Sequence, residues 1–174
     1  MGGGGTEADD ASEITALIRQ AISQTRDLAR GLSPVVLQSK GLAVALEDLA
    51  SSVAKHNNVN CTCTVSPGFV NPPTDVATHL YRIAQEAVTN AVKHGLTKEI
   101  DIELSTNPLH TVLSIHDKGN GRGITELEPK RQGMGLRIMK YRADMIGGIL
   151  DIQRSQSGSG TTVVCTIPTS PAST

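Results

Sequence analysis

The stretch DKGNGRG, residues 117–123, places three glycines directly behind a single aspartate, and GMGL follows at residues 133–136. Each glycine loses more backbone freedom on folding than any other residue, so a glycine-rich loop is costly to order. The segment VLSIHD, residues 112–117, reads as a strand that ends at Asp117. A loop this costly to order, placed directly after a strand, indicates a role that a less costly loop could not fill.

The segments on either side of this loop predict an α/β domain. A first helix over residues 11–31 carries apolar residues at steps of four and three, as in a coiled-coil seam. Hydrophobic periodicity predicts three more helices and five strands after this first helix. The helices are predicted at 41–57, 75–94 and 134–146, and the strands at 59–65, 99–105, 111–117, 149–154 and 161–167.

The predicted helix over residues 75–94 has an apolar face and a polar ridge. Its apolar residues recur at helical spacing and form a stripe that faces the core. Glu86, Asn90 and His94 follow one another at intervals of four, so they share a ridge beside that stripe. Taken by itself, such a ridge is an ordinary solvated helix face.

Composition excludes several classes of protein. The 174 residues carry a net charge of −1, which gives no reason to expect non-specific binding to nucleic acid or anionic membranes. Two tyrosines, one phenylalanine and no tryptophan are too few to stack on single-stranded nucleic acid. Three cysteines predict neither a disulfide framework nor a zinc site, and no apolar run is long enough to span a membrane. We expect a cytoplasmic domain with reduced thiols and no direct membrane contact.

Four motifs occur in order along the chain: RIAQEAVTNAVKHG at 82–95, DKGNGRG at 117–123, GMGL at 133–136 and GSGTTV at 158–163. Together they resemble the ATP-binding domain of the gyrase, Hsp90, histidine kinase and MutL superfamily. The glutamine before Glu86 and the ending GTTVVCTIP are most similar to sensor histidine kinases related to the nitrate sensors. RDLARGLSPVVLQSKGLAVALEDL, residues 26–49, resembles the end of their dimerisation helix and the link into the catalytic domain.

This resemblance implies a fold and a domain organisation. The fold is a two-layer α/β sandwich, in which helices cover one face of a mixed sheet (the Bergerat ATP-binding fold), preceded by a helical dimerisation remnant. Residues 1–11 would be a tag or linker and 12–40 the remnant with its connector. Residues 41–168 would form the catalytic domain, and 169–174 a disordered tail.

The resemblance also implies ATP and Mg²⁺ as cofactors. Asn90 would ligate the metal through its carbonyl oxygen, because Mg²⁺ prefers hard oxygen ligands and takes only one or two from a protein. Glu86 would hold a metal-bound water or polarise the phosphoryl acceptor. Lys93 and His94 would lie near the phosphates, although the helix dipole alone favours cations at this end of a helix.

In the same family pattern, Asp117 would accept a hydrogen bond from the exocyclic amine of adenine, where guanine offers a carbonyl instead. Thr161 or Thr162 would face the same pocket, because successive strand residues point to opposite faces. Residues 124–132 would close over the nucleotide as a lid, in which Lys130 and Arg131 either touch phosphate or keep the lid soluble. The glycine motifs contribute Gly119, Gly121, Gly123, Gly133, Met134, Gly135 and Leu136 to the nucleotide site.

The chain departs from the family pattern in two informative places. Lys118 stands where related proteins often have a second acidic residue, which leaves the adenine contact intact. No histidine precedes His56, although a sensor kinase carries its phospho-accepting histidine on the first dimerisation helix. We therefore expect a fragment that does not phosphorylate itself, taken from a homodimeric kinase whose partner is a response regulator.

Two other functions remain open from the sequence. One is a serine kinase of the anti-sigma-factor type on the same fold, which the flank at residues 26–49 argues against. The other is a binding module that uses ATP to open or close a partner surface without phosphoryl transfer. Glu86 and Asn90 favour catalytic competence over that module.

Overall fold

The computed structural model describes residues 35–94, 97–119, 134–154 and 160–169. The predicted helix at 11–31 and the predicted lid at 124–132 lie outside these ranges. The described elements are α1 (Val35–Asn57), β1 (Asn60–Val65), α2 (Thr74–His94), β2 (Glu99–Thr106), β3 (His110–Asp117), α3 (Met134–Met145), β4 (Ile149–Arg154) and β5 (Thr161–Pro168).

The five strands form one mixed sheet in the order β1-β2-β3-β5-β4. Strands β1 and β2 run parallel, and each of the other neighbouring pairs is antiparallel. Helix α2 packs between α1 and α3 and contacts β2, β3 and β5, while α1 also contacts β1 and α3 also contacts β4. The predicted α/β architecture with a mixed sheet is confirmed.

Alternating burial along the strands shows which face of the sheet the helices cover. In β3 the residues at 111, 113, 115 and 117 are buried, and those between them are partly exposed. In β5 the residues at 161, 163, 165 and 167 are buried in the same way. Because strand side chains alternate between faces, Asp117 and Thr161 lie on the helix-covered side.

Helix α2 follows the predicted amphipathic pattern. Leu80, Ile83 and Ala84 have no exposed surface and Ala87 has 4%, so the apolar stripe forms part of the core. Asp75 lies in the first turn, where the helix dipole favours negative charge. Lys93 and His94 lie in the last turn, where it favours positive charge.

Helix α1 begins six residues before the predicted start, and it is interrupted at Gly41, where the start was predicted. It runs from Val35, but Gly41 has φ 86° and ψ 179°, which breaks the helical path. The glycine at the predicted boundary is therefore a joint inside the element rather than its first residue. No helix within the described ranges is both long enough and apolar enough to cross a membrane.

Candidate functional site

The carboxylate of Asp117 is held by backbone groups at the end of β3. The residue is 6% exposed. Its Oδ1 accepts a hydrogen bond from the Gly119 backbone N–H at 2.8 Å, and its Oδ2 accepts one from the Thr161 N–H at 3.1 Å. The residue that precedes the glycine-rich loop is thus fixed in direction by both the loop and the neighbouring strand.

Gly160 makes this arrangement possible. Its φ is +96°, a conformation that side-chain-bearing residues rarely adopt, and a Cβ there would overlap the carbonyl oxygen of Asp117. The Cβ would also lie 3.2 Å from the Cα of Lys118. The end of β3 therefore passes so close to the start of β5 that only glycine fits at position 160.

We expect Gly160→Ala to lower the free energy of unfolding by about 3 kcal/mol, because backbone strain adds to a clash with backbone atoms. Urea denaturation measures this loss. Gly68→Ala is the matched control, since Gly68 also has a positive φ (+78°) but has open space where a Cβ would lie. If both variants lose the same free energy of unfolding, the close contact between position 160 and the Asp117 carbonyl oxygen does not require glycine.

The two threonines of the predicted pocket lie on opposite faces of β5. Thr161 is paired in register with Asp117 and is buried on the helix-covered side. The Thr162 hydroxyl is hydrogen-bonded at 2.8 Å to His116 Nδ1, on the other side of the sheet. The structure thus separates the pair: Thr161 belongs with Asp117, whereas Thr162, although predicted as a nucleotide contact, faces away from it.

Glu86 and Asn90 meet the first turn of α3. A Cβ on Gly135 would overlap Oε1 of Glu86 and would lie 3.3 Å from Nδ2 of Asn90. The absence of a side chain at position 135 lets α3 pack directly against the polar ridge of α2. Three predicted site residues from two distant motifs are therefore brought together between the two helices.

The remaining predicted residues are distributed around these two clusters. Lys93 and His94 are exposed at the end of α2, and Gly119 is buried beside Asp117. Met134 is 78% exposed at the start of α3, while Leu136 is partly buried against the core. Gly121, Gly123, Gly133, Lys130 and Arg131 lie outside the described residues.

Helix α2 also carries the partly buried His79, which the sequence did not single out. Burial lowers the pKa of its imidazole below the ordinary value of a histidine, and nearby Arg142 lowers it further, against a smaller opposing effect of Asp75. Its Nδ1 has no hydrogen-bond partner among the residues that the structure describes. Burial and Arg142 thus both favour the neutral form of the imidazole.

Lys118 contacts strand β2 instead of the carboxylate before it. Its Nζ lies 2.8 Å from Oε2 of Glu99, and its backbone N–H donates to the Glu99 carbonyl oxygen at 3.2 Å. Both side chains are about half exposed, so the ion pair contributes little free energy. It directs the lysine away from the buried Asp117.

The chain matches the family of histidine kinase-, DNA gyrase B-, and HSP90-like ATPases over residues 75–171. The chain belongs to this family. It is 32% identical over 171 residues to the sensor histidine kinase MctS of Rhizobium johnstonii, and 27% identical over 162 residues to the oxygen sensor histidine kinase NreB of Staphylococcus carnosus. These matches cover 95% and 92% of the chain but only 36% and 46% of the relatives. The predicted resemblance to the ATP-binding domain of sensor histidine kinases is confirmed.

Solved structures support the same fold. The histidine kinase domain of a blue-light-activated kinase from Erythrobacter litoralis has a TM-score of 0.56 at 23% identity, covering 73% of this chain and 60% of that one. The ATP-binding domain of PrrB from Mycobacterium tuberculosis has a TM-score of 0.59 at 20% identity, covering 75% and 95%. At such low identity the likeness concerns the fold alone.

Proposed function

We propose that this domain binds Mg²⁺-ATP and supplies the γ-phosphoryl group to a histidine on another segment of a homodimeric sensor kinase, for relay to a response regulator. The observation that carries the proposal is the extent of the match to a sensor histidine kinase. It covers 95% of the chain, whereas the match to the general ATPase family covers only residues 75–171. The likeness therefore continues into the segment ahead of the ATP-binding domain, where the predicted dimerisation helix lies.

The adenine assignment is supported by the geometry of Asp117. Each carboxylate oxygen already accepts one backbone N–H. A carboxylate oxygen has a further lone pair, so the group can still accept from an exocyclic amine. Thr161, on the same face, would line that pocket. Guanine would present a carbonyl oxygen to the carboxylate, and two acceptors repel each other.

The phosphate and metal assignment is supported by the meeting of Glu86, Asn90 and Gly135. The Asn90 carboxamide provides one hard oxygen, and within the described ranges no three His, Cys, Asp or Glu residues are grouped to hold a metal. This suits Mg²⁺, which takes few protein ligands and completes its shell with phosphate and water oxygens. When bound, the metal neutralises charge on the phosphates.

The protein groups around that position have separate tasks in the proposal. The start of α3 favours an anion, because the N-terminus of a helix carries partial positive charge. Glu86 would orient a water or polarise the acceptor from the facing helix. Lys93 and His94 would contribute positive charge or hydrogen bonds at the end of α2. The domain would work in the cytoplasm, and residues 12–40 would form the remnant of a dimerisation helix and the connector to the domain.

Gly135→Ala tests the contact between α2 and α3. Alanine is a better helix former than glycine by about 1 kcal/mol, and the Glu86 carboxylate can swing away from a new Cβ. We therefore expect the free energy of unfolding to stay within about 1 kcal/mol of its original value. Phosphoryl transfer should fall by about tenfold or more, since a misplaced catalytic group costs that much. Unchanged transfer with alanine at 135 would mean that the position of Glu86 is unimportant.

Transfer of labelled phosphate tests the function itself. Incubated alone with γ-labelled ATP, the chain should acquire no acid-labile phosphate, because all five of its histidines lie at position 56 or later. Addition of a dimerisation segment that carries an acceptor histidine should produce acid-labile, base-stable label on that segment. Acid-stable label on a serine would instead indicate an anti-sigma type of kinase. ATP binding without transfer to either acceptor would indicate a non-catalytic module.

A further inference from the structure

The joint in α1 is closed by a residue from elsewhere in the chain. Gly41 has a positive φ (+86°), and the position of its missing Cβ lies 2.6 Å from Oδ1 and 2.7 Å from Nδ2 of Asn71. Oδ1 of Asn71 accepts a hydrogen bond from the Leu42 backbone N–H at 2.9 Å. A side chain 29 residues away thus occupies the space that glycine leaves open and caps the helix that starts at Leu42.

This cap differs from an ordinary one in its source. The residue before a helix usually provides the capping oxygen from its own side chain. Gly41 has no side chain, so the first N–H after the break depends on the loop between β1 and α2. The cap is therefore present only while that loop contacts the joint.

The two sides of the joint are anchored to different degrees. After the break, Leu42 and Leu46 have no exposed surface, so this helix is fixed in the core. Before the break, Leu37 is 3% exposed, but Val35, where the described chain begins, is 79% exposed. The short piece before Gly41 therefore contacts the core through Leu37 and the partly buried Val36, and the joint sets its direction.

Asn71 is also tied to the helix that carries the candidate catalytic residues. Pro72 and Pro73 follow it directly, and proline fixes φ near −65°. The Ala77 N–H donates to the Pro73 carbonyl oxygen at 2.8 Å, so the second proline is already part of the first turn of α2. A stiff connection therefore runs from the joint to the start of the helix with Glu86 and Asn90.

We propose that Gly41 and Asn71 form a releasable latch that sets the direction in which the chain enters the ATP-binding domain. With the latch closed, as in this structure, the chain turns at Gly41 and the piece before it keeps one direction. With the latch open, the Leu42 N–H loses its partner and that piece takes up a second direction. The latch concerns the mechanics of the joint and stands whether or not the proposed histidine kinase activity is correct.

Amide hydrogen exchange at Leu42, followed by NMR, tests the closed state. Asn71→Ala should speed exchange at Leu42 by about 2- to 30-fold, the range that loss of one helix N-cap corresponds to. Asn71→Asp keeps an acceptor oxygen next to the helix N-terminus and should restore slow exchange. Asn107→Ala is the matched control, because Asn107 Oδ1 likewise accepts from the backbone N–H groups of Leu109 and His110, but in another loop.

A second variant opens the latch from the other side. Alanine at position 41 would push the Asn71 side chain out, so Gly41→Ala should also speed exchange at Leu42. Because both changes break the same contact, the double variant should exchange no faster than the faster single variant. Gly68→Ala, with a positive φ and open space, controls for strain alone.

The direction of the entering chain is measured by the distance between labels at Gln38 and Glu103, both exposed. Spin labels attached through non-natural amino acids leave the native cysteines untouched. The original chain should give one narrow distance distribution. In Asn71→Ala a second population of distances should appear. The first population should persist, because Leu37 keeps the original direction in part of the molecules. The latch is disproved if the amide of Leu42 exchanges no faster in Asn71→Ala than in the Asn107→Ala control. It is also disproved if the distance distribution in Asn71→Ala is the same as in the original chain.

Discussion

Replacement of Asp117 by asparagine is expected to raise the Kd for ATP by about 10- to 100-fold. A hydrogen bond to a charged group is worth about 1.5–3 kcal/mol, and each 1.4 kcal/mol corresponds to a factor of ten in affinity. The asparagine amide would also present a donor, in one of its two orientations, to the amine of adenine. Isothermal titration calorimetry with ATP and with ADP measures the loss.

The structure adds a second effect of this substitution that the motif alone does not predict. Both oxygens of Asp117 accept backbone N–H groups, from Gly119 and from Thr161. An amide can accept only one of them, so the other N–H loses its partner at a cost of about 1–3 kcal/mol in stability. The affinity must therefore be measured at a temperature where the variant is fully folded.

Asp101→Asn serves as the matched control for Asp117→Asn. Asp101 lies one strand away on the opposite face, where its Oδ1 accepts a hydrogen bond from the Thr62 hydroxyl at 2.7 Å. The change in net charge is the same, but no buried backbone donor is involved. ATP affinity in this variant should stay unchanged. An equal loss in both variants would assign the effect to charge at long range and would remove Asp117 from the adenine site.

Asn90→Ala is expected to abolish phosphoryl transfer and to remove most of the Mg²⁺ dependence of nucleotide binding. The reason is that the carboxamide oxygen is the proposed protein ligand of the metal, and alanine offers no oxygen. ATP titrations at a series of Mg²⁺ concentrations measure the second effect without any acceptor present. Asn57→Ala, an exposed asparagine at the end of α1, is the control.

The outcome that contradicts this assignment is specific. If ATP affinity in Asn90→Ala rises with Mg²⁺ as steeply as in Asn57→Ala, the metal is held by other groups. Loss of transfer with an unchanged Mg²⁺ dependence would leave Asn90 in the reaction but not in the metal shell.

Local sequence patterns predict most of the described elements because their signals lie within a few residues. Alternation in VLSIHD places Asp117 on the same face as Leu113 and Ile115, and the structure has all three buried. The four-residue spacing of Glu86 and Asn90 puts both on one ridge, and Gly135 contacts that ridge. In each case the period of the element fixes the side chain's direction.

Other features depend on contacts between segments that are far apart, and no local pattern reports them. The choice between Thr161 and Thr162 depends on the register of β5 against β3, which pairs Asp117 with Thr161. The role of Gly160 arises from its approach to the Asp117 carbonyl group, across 43 residues of chain. The sequence predicts that α1 starts at Gly41, whereas the helix begins at Val35 and Asn71 stabilises a break within it.

The central claim is that the carboxylate at the end of β3 recognises the amine of adenine. ATP and inosine triphosphate differ at that position, where inosine has a carbonyl oxygen in place of the amine, and at the adjacent ring nitrogen, which in inosine carries a hydrogen. Calorimetric titration of the unaltered chain with each nucleotide in the presence of Mg²⁺ therefore tests the claim directly. We predict that ATP binds at least about tenfold more tightly, since a site built for a donor rejects an acceptor there. Equal affinity for the two nucleotides would contradict the account.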